Sequence, residues 1–495
     1  MSSGSRDRSA IDAYGQLRRA LAFLVRIFFR RLEVVGLENI PSDRGGILVA
    51  WHPNGLVDPT LVLSAFPRQV VFGARHGLFR IPLLGRFMKA IGTVPIYRRQ
   101  DLPGGNVEDQ RRRNDASLDL LADRIAQGSF SALFPEGVTH DAPFLQELKT
   151  GAARLYYRAR TRTPAGIPAP VVIPVGIHYD QKRVFRSCAL VVFHPPLELS
   201  AALDVTPAPD ADPESTRELA RRLTEELEHE LRAVILETES WQVHRLLHRA
   251  RKLIRAERAR RAETSLGEAT LDEKVVGFMR IWTGYQELLR SHPREVAGLR
   301  RRIERYDAYL RGLRLDDHEL DHPPPMVGSG FWFVILLQAI LVFVLLPPLL
   351  LIGLVVNLPP ALLLSGAARA MVKKESAASL KLGGGILLFP TTWGVWAWVV
   401  AGQAVGMSPI LAGGLTVTLG IVGGIVMILY LGWAAGTLRA IRVRLTRSQR
   451  ARALLRLRKE RARMCDELLA MTAGIQLPGV VHPDGHISRT AAAGP

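Results

Sequence analysis

Short apolar runs separated by helix-forming segments follow one another along the first 200 residues. The runs have the length of buried strands, and each one ends where proline, glycine or charged residues begin. They cover residues 32–36, 46–50, 70–74, 129–134, 171–176 and 191–193. Strands that alternate with helices predict an α/β fold, with a mostly parallel or mixed sheet flanked by helices. We place this domain at residues 32–200.

Helical periodicity predicts further elements on both sides of this domain. Residues 1–31 contain an amphipathic helix with arginines on one side, which indicates a helix at a membrane interface. The alternative is a helix packed on the domain itself. After a linker rich in proline and alanine, residues 215–313 are charged and helix-forming, and they predict a basic helical module. Solvated faces of a helical bundle explain its arginines more simply than nucleic-acid binding does.

Apolar runs at 331–365, 382–404 and 408–433 are too long for the core helices of a soluble domain. They predict a membrane region at 331–433. Basic residues follow the first and the last run, and basic loops stay cytoplasmic. Each apolar block should therefore return to the side it left. We predict a helical hairpin at 382–433 and a broken or re-entrant hairpin at 331–365, interrupted at its two proline pairs. A single tilted span is the alternative for this block.

Two segments follow the membrane region. Residues 439–473 predict a very basic amphipathic helix that can lie along anionic membrane lipids. Residues 474–495 are expected to be disordered.

Composition narrows the class of protein. Lys and Arg number 65 against 46 Asp and Glu, a balance that suits either nucleic acid or an anionic membrane surface. The apolar runs favour the membrane, and the sequence has no recognised nucleic-acid module. Two distant cysteines suit the reducing cytoplasm and imply no cysteine-based metal site. We therefore expect a multi-pass protein of the cytoplasmic membrane, with its α/β domain on the cytoplasmic side.

An acidic stretch, Asp316-Asp317-His318 with Asp321-His322, raises the question of a metal site. A polar linker ahead of three prolines is the simpler interpretation. We predict no metal.

The stretch from Trp51 to Pro59 carries the candidate chemistry. His52 follows a short buried strand, and Asp58 comes six residues later, after a turn that contains proline, asparagine and glycine. The two side chains can converge across this turn, where the carboxylate would orient the imidazole and stabilise its protonated form. Since the stretch contains no serine or cysteine, we interpret His52 as a general base for a substrate hydroxyl. A turn histidine beside a solvated aspartate is the structural alternative.

Three more blocks at strand ends accompany this one: Gly92 to Arg98, Phe134 to Gly137, and Val172 to Gly176. Together, in this order, the four blocks resemble the glycerolipid acyltransferases that acylate glycerol 3-phosphate or lysophosphatidate. The resemblance covers about residues 32–200. Asp58 is the sixth residue after His52, whereas the commonest family form has the aspartate at the fifth. This longer interval and the added membrane spans resemble the larger fungal-type glycerol 3-phosphate/dihydroxyacetone phosphate acyltransferases.

The resemblance implies a glycerol-3-phosphate acyltransferase-like fold and assigns further site residues. Arg98 resembles the arginine that binds the acceptor phosphate, and Arg75 stands where relatives often carry a basic phosphate ligand. Glu136 and Gly137 resemble the acceptor-binding block, and Lys149 is a further candidate. The third block continues as Val138-Thr139-His140-Asp141 where many relatives have Thr-Arg-Ser, a departure that bears on the acceptor.

The implied reaction moves a fatty acyl group from acyl-CoA or acyl carrier protein to a hydroxyl of glycerol 3-phosphate, dihydroxyacetone phosphate or lysophosphatidate. It requires no cofactor beyond the thioester co-substrate. Two alternatives remain open. The same chemistry can act on a different lipid acceptor, or the chain is a non-catalytic membrane scaffold, in which case His52 and Asp58 should lie too far apart to hydrogen-bond.

Overall fold

The chain divides into two compact units, Met1–Trp241 and Gln242–Pro495. A computed structural model describes most of both units. The described residues are 3–80, 85–86, 88–89, 92–97, 107–182, 184–208, 212–264, 267–321, 331–371, 377–403 and 406–489.

A seven-stranded sheet forms the centre of the first unit. Its spatial order is β1-β7-β6-β2-β5-β3-β4. The five strands from β6 to β4 run parallel, whereas β7 is antiparallel to β6 and pairs in parallel with β1. This confirms the predicted mixed sheet. The strands are β1 (Arg31–Val35), β2 (Gly46–Ala50), β3 (Val70–Arg75), β4 (Val94–Ile96), β5 (Phe130–Leu133), β6 (Val171–Tyr179) and β7 (Cys188–Phe193).

Helices cover both faces of the sheet. Apolar residues of α3, α4 and α5 form one core with Ile47 and Val49 of β2. On the opposite face, Phe66 at the end of α2 packs against Phe130 and Phe193, with ring centroids 4.9 and 5.4 Å apart. Because both faces are covered, β2 is buried along its whole length, as its continuous apolar run predicted. The helices are α1 (Ser3–Phe28), α2 (Val57–Ala65), α3 (Val107–Ala126), α4 (Gly151–Arg162) and α5 (Pro213–Val234).

The first helix, α1, is docked on its own unit. Leu21, Val25 and Phe28 are buried, and Arg18 donates hydrogen bonds to the carbonyls of Phe66 and Pro67. This packing agrees with the alternative of a helix that covers the domain. A membrane contact remains a prediction, and in this structure it would rest on exposed residues such as Phe23 and Ile27.

The second unit begins with the helical module. Helices α6 (Trp241–Arg261), α7 (Leu271–Ser291) and α8 (Pro293–Leu313) follow one another, and α13 (Ala451–Met471) joins them near the end of the chain. Leu253, Ile303 and Leu310 are buried together with Met464 and Cys465 of α13.

The segment after α13 is ordered up to Ser488, which corrects the expected disorder of residues 474–495. Strands β8 (Val480–Val481) and β9 (Ile487–Ser488) form a short antiparallel hairpin. Arg280 of α7 donates hydrogen bonds to the carbonyls of Leu477, Pro478 and Gly479, and these bonds fix the approach to the hairpin. Sequence patterning missed it because its strands are only two residues long. Residues 490–495 lie outside the described residues.

The acidic stretch from Asp316 to Asp321 is a binding partner for arginines. The guanidinium of Arg461 is fully buried and lies 3.0 Å from Glu257 and 2.5 Å from Asp321. Arg249 lies 2.6 Å from Asp317. In the same stretch, Arg439 pairs with Asp316 and Glu319. The predicted polar linker is therefore an ion-pair network within the second unit.

The apolar region is helical across both proline pairs. Helix α9 (Phe331–Ile340) leads through a π-helical segment (Leu341–Leu345) into α10 (Leu346–Ala370), which contains Pro359 and Pro360. The helical run between 331 and 370 therefore corrects the hairpin of short helices broken at the prolines. Pro347 is the second residue of α10, directly after the π segment. Prolines and π-helical turns are both known causes of local irregularity in a long helix.

Helices α11 (Ala377–Gln403) and α12 (Pro409–Gln449) complete this region. By length and composition, three helical segments of the described chain can cross a membrane, at Gly353–Ala370, Ala377–Gln403 and Pro409–Gln449. Asn357 of α10 ties the three helices together. It donates to the carbonyl of Gly420 and accepts a hydrogen bond from the indole of Trp393, at 2.9 and 3.0 Å.

The basic segment predicted at 439–473 belongs to two helices, since α12 continues to Gln449 and α13 begins at Ala451. Several of its arginines bind the acidic stretch. Arg447 donates to the carbonyl of Glu319 and Arg458 to that of Leu320. An extended contact of this segment with anionic lipid stays a prediction.

Candidate active site

Five parallel strands end at one edge of the sheet, and the predicted site residues follow these ends. His52 comes two residues after β2, Glu136 comes three residues after β5, and Arg75 is the last residue of β3. Tyr179 ends β6, the neighbour of β2 on the other side. Ligand sites of parallel α/β sheets form at this edge, beyond the carboxyl ends of the strands.

The predicted base and its orienting carboxylate are in contact. His52 Nδ1 lies 2.9 Å from Asp58 Oδ2. Gly55 adopts a positive φ of 49° in the intervening turn, and Asp58 lies in the first turn of α2. The turn and the start of the helix therefore bridge the six-residue interval. The Asp58 side chain is fully buried, whereas 18% of the His52 side chain is exposed.

Two further donors fix the Asp58 carboxylate. The backbone N–H of Asn54 donates to Oδ2 at 2.7 Å, and the Tyr179 hydroxyl donates to Oδ1. Burial raises the pKa of Tyr179 well above its ordinary value, and the charge of Asp58 raises it further. The phenol therefore stays protonated and remains a donor. Because an ionised carboxylate only accepts hydrogen bonds, the proton between His52 and Asp58 is on Nδ1, which leaves Nε2 of His52 as the basic atom.

The third block, Phe134 to Gly137, contacts both the ring and the backbone of His52. The ring of Phe134 stacks on the imidazole of His52, with centroids 4.3 Å apart and planes 25° apart. Glu136 is buried and accepts three hydrogen bonds from protein groups. The donors are the His52 N–H at 3.0 Å, the Gln146 N–H at 2.9 Å and the His140 imidazole at 2.7 Å. In this structure Glu136 therefore positions the turn that carries the base.

Gly137 and Lys149 lie against each other beside this block. Gly137 has a φ of 66°, and a Cβ added to it would lie 2.7 Å from Lys149 Nζ. The Lys149 N–H donates to the carbonyl of Pro135 at 2.9 Å, while its side chain is exposed. A side chain at residue 137 would displace the ammonium group, so the glycine keeps a cation next to the block.

The basic residues predicted to bind phosphate follow β3 and β4. Arg75 is exposed at the end of β3 and is paired in register with Ile96 of β4. Arg98, two residues after Ile96, lies outside the described residues. The backbone of Tyr97 is fixed by Asn114 of α3, which donates to its carbonyl at 2.9 Å and accepts from its N–H at 2.8 Å.

Sequence reasoning missed the residues that complete the turn. Lys182, in the loop after β6, donates to the carbonyl of Pro53 at 3.1 Å, and the Asn54 side chain donates to the carbonyl of Lys182 at 3.0 Å. The Lys182 ammonium also lies 2.5 Å from Asp141. The available signal was the fourth block, because a strand parallel to β2 has to end beside His52.

Among the residues that the structure describes, none of the His, Cys, Asp and Glu side chains form a group that could hold a metal ion.

The sequence of the first unit is similar to those of known acyltransferases. A family model described as "Acyltransferase" matches residues 31–178. Glycerol-3-phosphate O-acyltransferase 1 of Saccharomyces cerevisiae is 26% identical over 40% of this chain and 24% of its own length. A 1-acyl-sn-glycerol-3-phosphate acyltransferase of Bacillus subtilis is 28% identical over 25% of this chain and 55% of its own length. The matched part of this chain thus spans about a quarter of the length of the first relative and about half the length of the second.

A solved structure gives a weaker match. The crystal structure of the 1-acyl-sn-glycerophosphate acyltransferase PlsC from Thermotoga maritima aligns with a TM-score of 0.30 and 21% identity. The alignment covers 47% of this chain and 85% of PlsC.

Proposed function

We propose that the domain at residues 31–178, which matches a family model described as "Acyltransferase", transfers a fatty acyl group from a thioester to a hydroxyl of a glycerol-based phosphate acceptor. Glycerol 3-phosphate, dihydroxyacetone phosphate and lysophosphatidate are the candidate acceptors, and acyl-CoA or acyl carrier protein is the donor. No cofactor is needed. The observation that carries the proposal is the 2.9 Å contact between His52 and Asp58 at the ligand-binding edge of the sheet.

The geometry supports a direct transfer. Nε2 of His52 removes the proton of the acceptor hydroxyl while its oxygen attacks the thioester carbonyl carbon. The tetrahedral intermediate then collapses, the carbon–sulfur bond breaks, and the leaving thiolate takes the proton back from the imidazolium. Asp58 stabilises this imidazolium without accepting its proton. General base catalysis of this kind contributes about 10²–10⁴-fold to the rate.

Cations near the base support a phosphate-bearing acceptor. Arg75 and Lys149 are exposed at the same edge of the sheet, and we assign Arg98 the same role from its place in the sequence. A guanidinium matches phosphate with paired hydrogen bonds, and an ammonium adds a point charge. Gly137 has no side chain, and we assign it the role of letting the protein backbone approach the acceptor. Because Glu136 already accepts three protein donors, we assign it to positioning His52.

Three apolar helices indicate membrane association. We propose a multi-pass protein of the cytoplasmic membrane with its catalytic domain on the cytoplasmic side. The basic residues that border the apolar helices support this orientation. Both cysteines are free and buried, which suits a reducing compartment.

The test is thiol release by the purified protein. Acyl-CoA and acyl carrier protein donors are combined with each of the three acceptors, and the products are identified by mass spectrometry. We expect release with at least one pair, and a loss of about 10²–10⁴-fold in His52→Ala. His229→Ala, which removes an exposed histidine of α5, should leave the rate unchanged.

The outcomes separate the alternatives. Release only with a non-phosphorylated or amine-containing lipid would move the activity to another acceptor class. If no combination exceeds the His52→Ala background, the acyltransferase proposal fails and the scaffold alternative returns. That alternative predicted a separated His52 and Asp58, so the observed contact counts against it.

A further inference from the structure

A cavity of about 300 Å³ lies inside the second unit, between α6, α7, α8 and α13. Apolar side chains from α6, α7 and α8 form its walls. A volume of this size is at the lower limit of small-molecule sites, so it suits one slender apolar group. The wall residues include Leu246, Leu247, Ile254, Leu288, Leu299 and Ile303.

Two glycines leave space on the α7 side of the cavity, where larger residues would place side chains. Gly277 and Gly284 lie seven residues apart on the same face of α7, and both line the cavity. A Cβ at Gly284 would lie 3.2 Å from Thr472 and 3.6 Å from a Leu477 methyl. A Cβ at Gly277 would lie 3.2 Å from the aliphatic stem of Arg251. Larger residues at these positions would therefore narrow the cavity.

The charged groups of the cavity are strongly one-sided. Glu273 is the carboxylate in its lining, and Arg255 lies 2.8 Å from it. That pair is neutral overall. The other charged lining residues are all cationic: Arg251, Arg258, Arg280 and Arg300. Arg300 is paired with Glu304, which is not in the lining.

Arg258 and Arg280 form a pair of neighbouring cations. Burial lowers the pKa of both, and the charge of Arg258 lowers the pKa of Arg280 further. Guanidinium groups nevertheless stay charged at neutral pH. Carbonyls of the segment before β8 hold Arg280 in place. In the described part of the chain, no carboxylate pairs with either residue. Partly buried cations of this kind are stabilised by a bound anion.

We propose that this cavity binds a single-chain anionic amphiphile, with the acyl or alkyl chain along the apolar walls and the anionic head group at Arg258 and Arg280. A long-chain fatty carboxylate and an alkyl or acyl phosphate share this chemistry. The site does not depend on the acyl-transfer reaction, since it lies entirely within the second unit. It gives the helical module a lipid ligand of its own.

The first experiment measures the head-group requirement. The full chain is placed in phosphatidylcholine nanodiscs, and binding is followed by displacement of a fluorescent fatty acid. Oleate, dodecyl phosphate and neutral oleyl alcohol are compared. We expect at least one anion to bind 10-fold or more tightly than the alcohol, and the tighter of the two identifies the head group. Equal binding of all three would overturn the proposal.

Matched variants test the position of the site. Arg258→Gln should weaken anion binding about 10-fold, whereas Arg301→Gln, the same change at an exposed position of α8, should not. Gly284→Leu should abolish binding, and Gly284→Ala should retain most of it. Anion binding that is the same in Arg258→Gln as in the unmodified protein would contradict the assignment.

Photolabelling locates the site in the unmodified protein, so its result does not depend on whether a variant folds. A photoactivatable fatty acid bound to the unmodified protein should label peptides from residues 246–303 or 468–487, which line the cavity, and excess oleate should suppress the labelling. Label confined to the apolar helices after Phe331, or to residues 31–178, would overturn the proposal.

Discussion

The edge of the sheet in the first unit and the acidic stretch of the second unit both bury charged groups, but they leave them in different states. Arg461 is fully buried between Glu257 and Asp321, and its remaining donors face the carbonyl of Asp317. Asp58 is buried to the same degree, but its partner His52 keeps one ring nitrogen for another molecule. A network in which each buried charge has an opposite charge beside it holds helices together. A network with one open position can carry out a reaction.

The largest effect is expected from opening the paired network. Arg461→Met removes the cation that Glu257 and Asp321 share. Because Arg260 and Arg261 still pair with Glu257, and Arg458 lies 3.4 Å from Asp321, we expect the second unit to lose about 3 kcal/mol, the lower end of the usual cost of breaking a buried ion pair. Thermal unfolding of the detergent-solubilised protein measures it. Arg463→Met, at an exposed position of the same helix, is the control and should shift the midpoint little. An equal shift in both variants would show that the network does not stabilise the unit.

A change in the contact between His52 and Asp58 should lower the rate of acyl transfer rather than the stability. Asp58→Asn allows the amide to donate to His52 Nδ1, so the ring proton moves to Nε2 and the base is lost. We expect thiol release to fall by about 10²-fold or more, with a smaller change in unfolding midpoint than Arg461→Met produces. Asp123→Asn breaks a surface ion pair of α3 and should not change the rate. A rate unaffected by Asp58→Asn would contradict the assigned role.

Two histidines of α6 predict an acid-sensitive second unit. Burial lowers the pKa of His244 to about 4, and the charge of Arg245 adds to this effect. Burial also lowers the pKa of His248, and nearby cations, Lys252 and Lys274 among them, lower it further. Since the unfolded chain binds these protons near pH 6.5, stability is fully present above that pH and falls as the pH drops towards 4.

The magnitude for His244 is about 2–3 kcal/mol across this window. Unfolding midpoints measured from pH 7 to pH 4 should fall less in a His244→Phe/His248→Leu variant than in the unmodified protein. Parallel pH profiles of the two proteins would show that these histidines do not set the acid sensitivity.

The smallest effect is expected at Tyr179, which acts on the base through Asp58. Tyr179→Phe removes one donor to the carboxylate and should lower the rate about 10-fold. With one donor fewer, Asp58 attracts the imidazole proton more strongly, so the acid limb of the rate profile should move to higher pH. Tyr157→Phe removes a buried hydroxyl that bonds the carbonyl of Leu203 and should leave the profile in place. An unmoved acid limb in Tyr179→Phe would assign the tyrosine to packing alone.

The comparison also shows what the sequence could predict. The contact between His52 and Asp58 depends on a local turn and a helix start, and the short-range pattern identified it. Tyr179 is 121 residues from Asp58, and the sheet order that joins them is not encoded in either segment alone. The same limit applies to Arg461, whose partner Glu257 is 204 residues away. The pattern of the arginine-rich helix predicted a lipid contact, but it could not show that Arg461 forms internal ion pairs, because their carboxylates lie far away in the sequence.

The hairpin of short helices predicted at 331–365 was wrong for a different reason. Paired prolines usually end soluble helices, since each removes a hydrogen-bond donor and crowds the preceding turn. Neighbouring helices and a π-helical segment can absorb that disruption in an apolar region. The pattern of the block alone does not contain those neighbours.

The three hydrogen bonds that Glu136 accepts have a consequence for attempts to change the acceptor by mutation. Glu136, which resembles an acceptor-binding glutamate, accepts a hydrogen bond from the backbone N–H of His52, the proposed base. The conformation of the segment after β5 and the position of the proposed base therefore depend on the same carboxylate. Engineers who exchange residues 136–141 to admit a different acceptor would also move the base. Selectivity is better altered at Arg75 or Lys149, whose side chains lie on the surface.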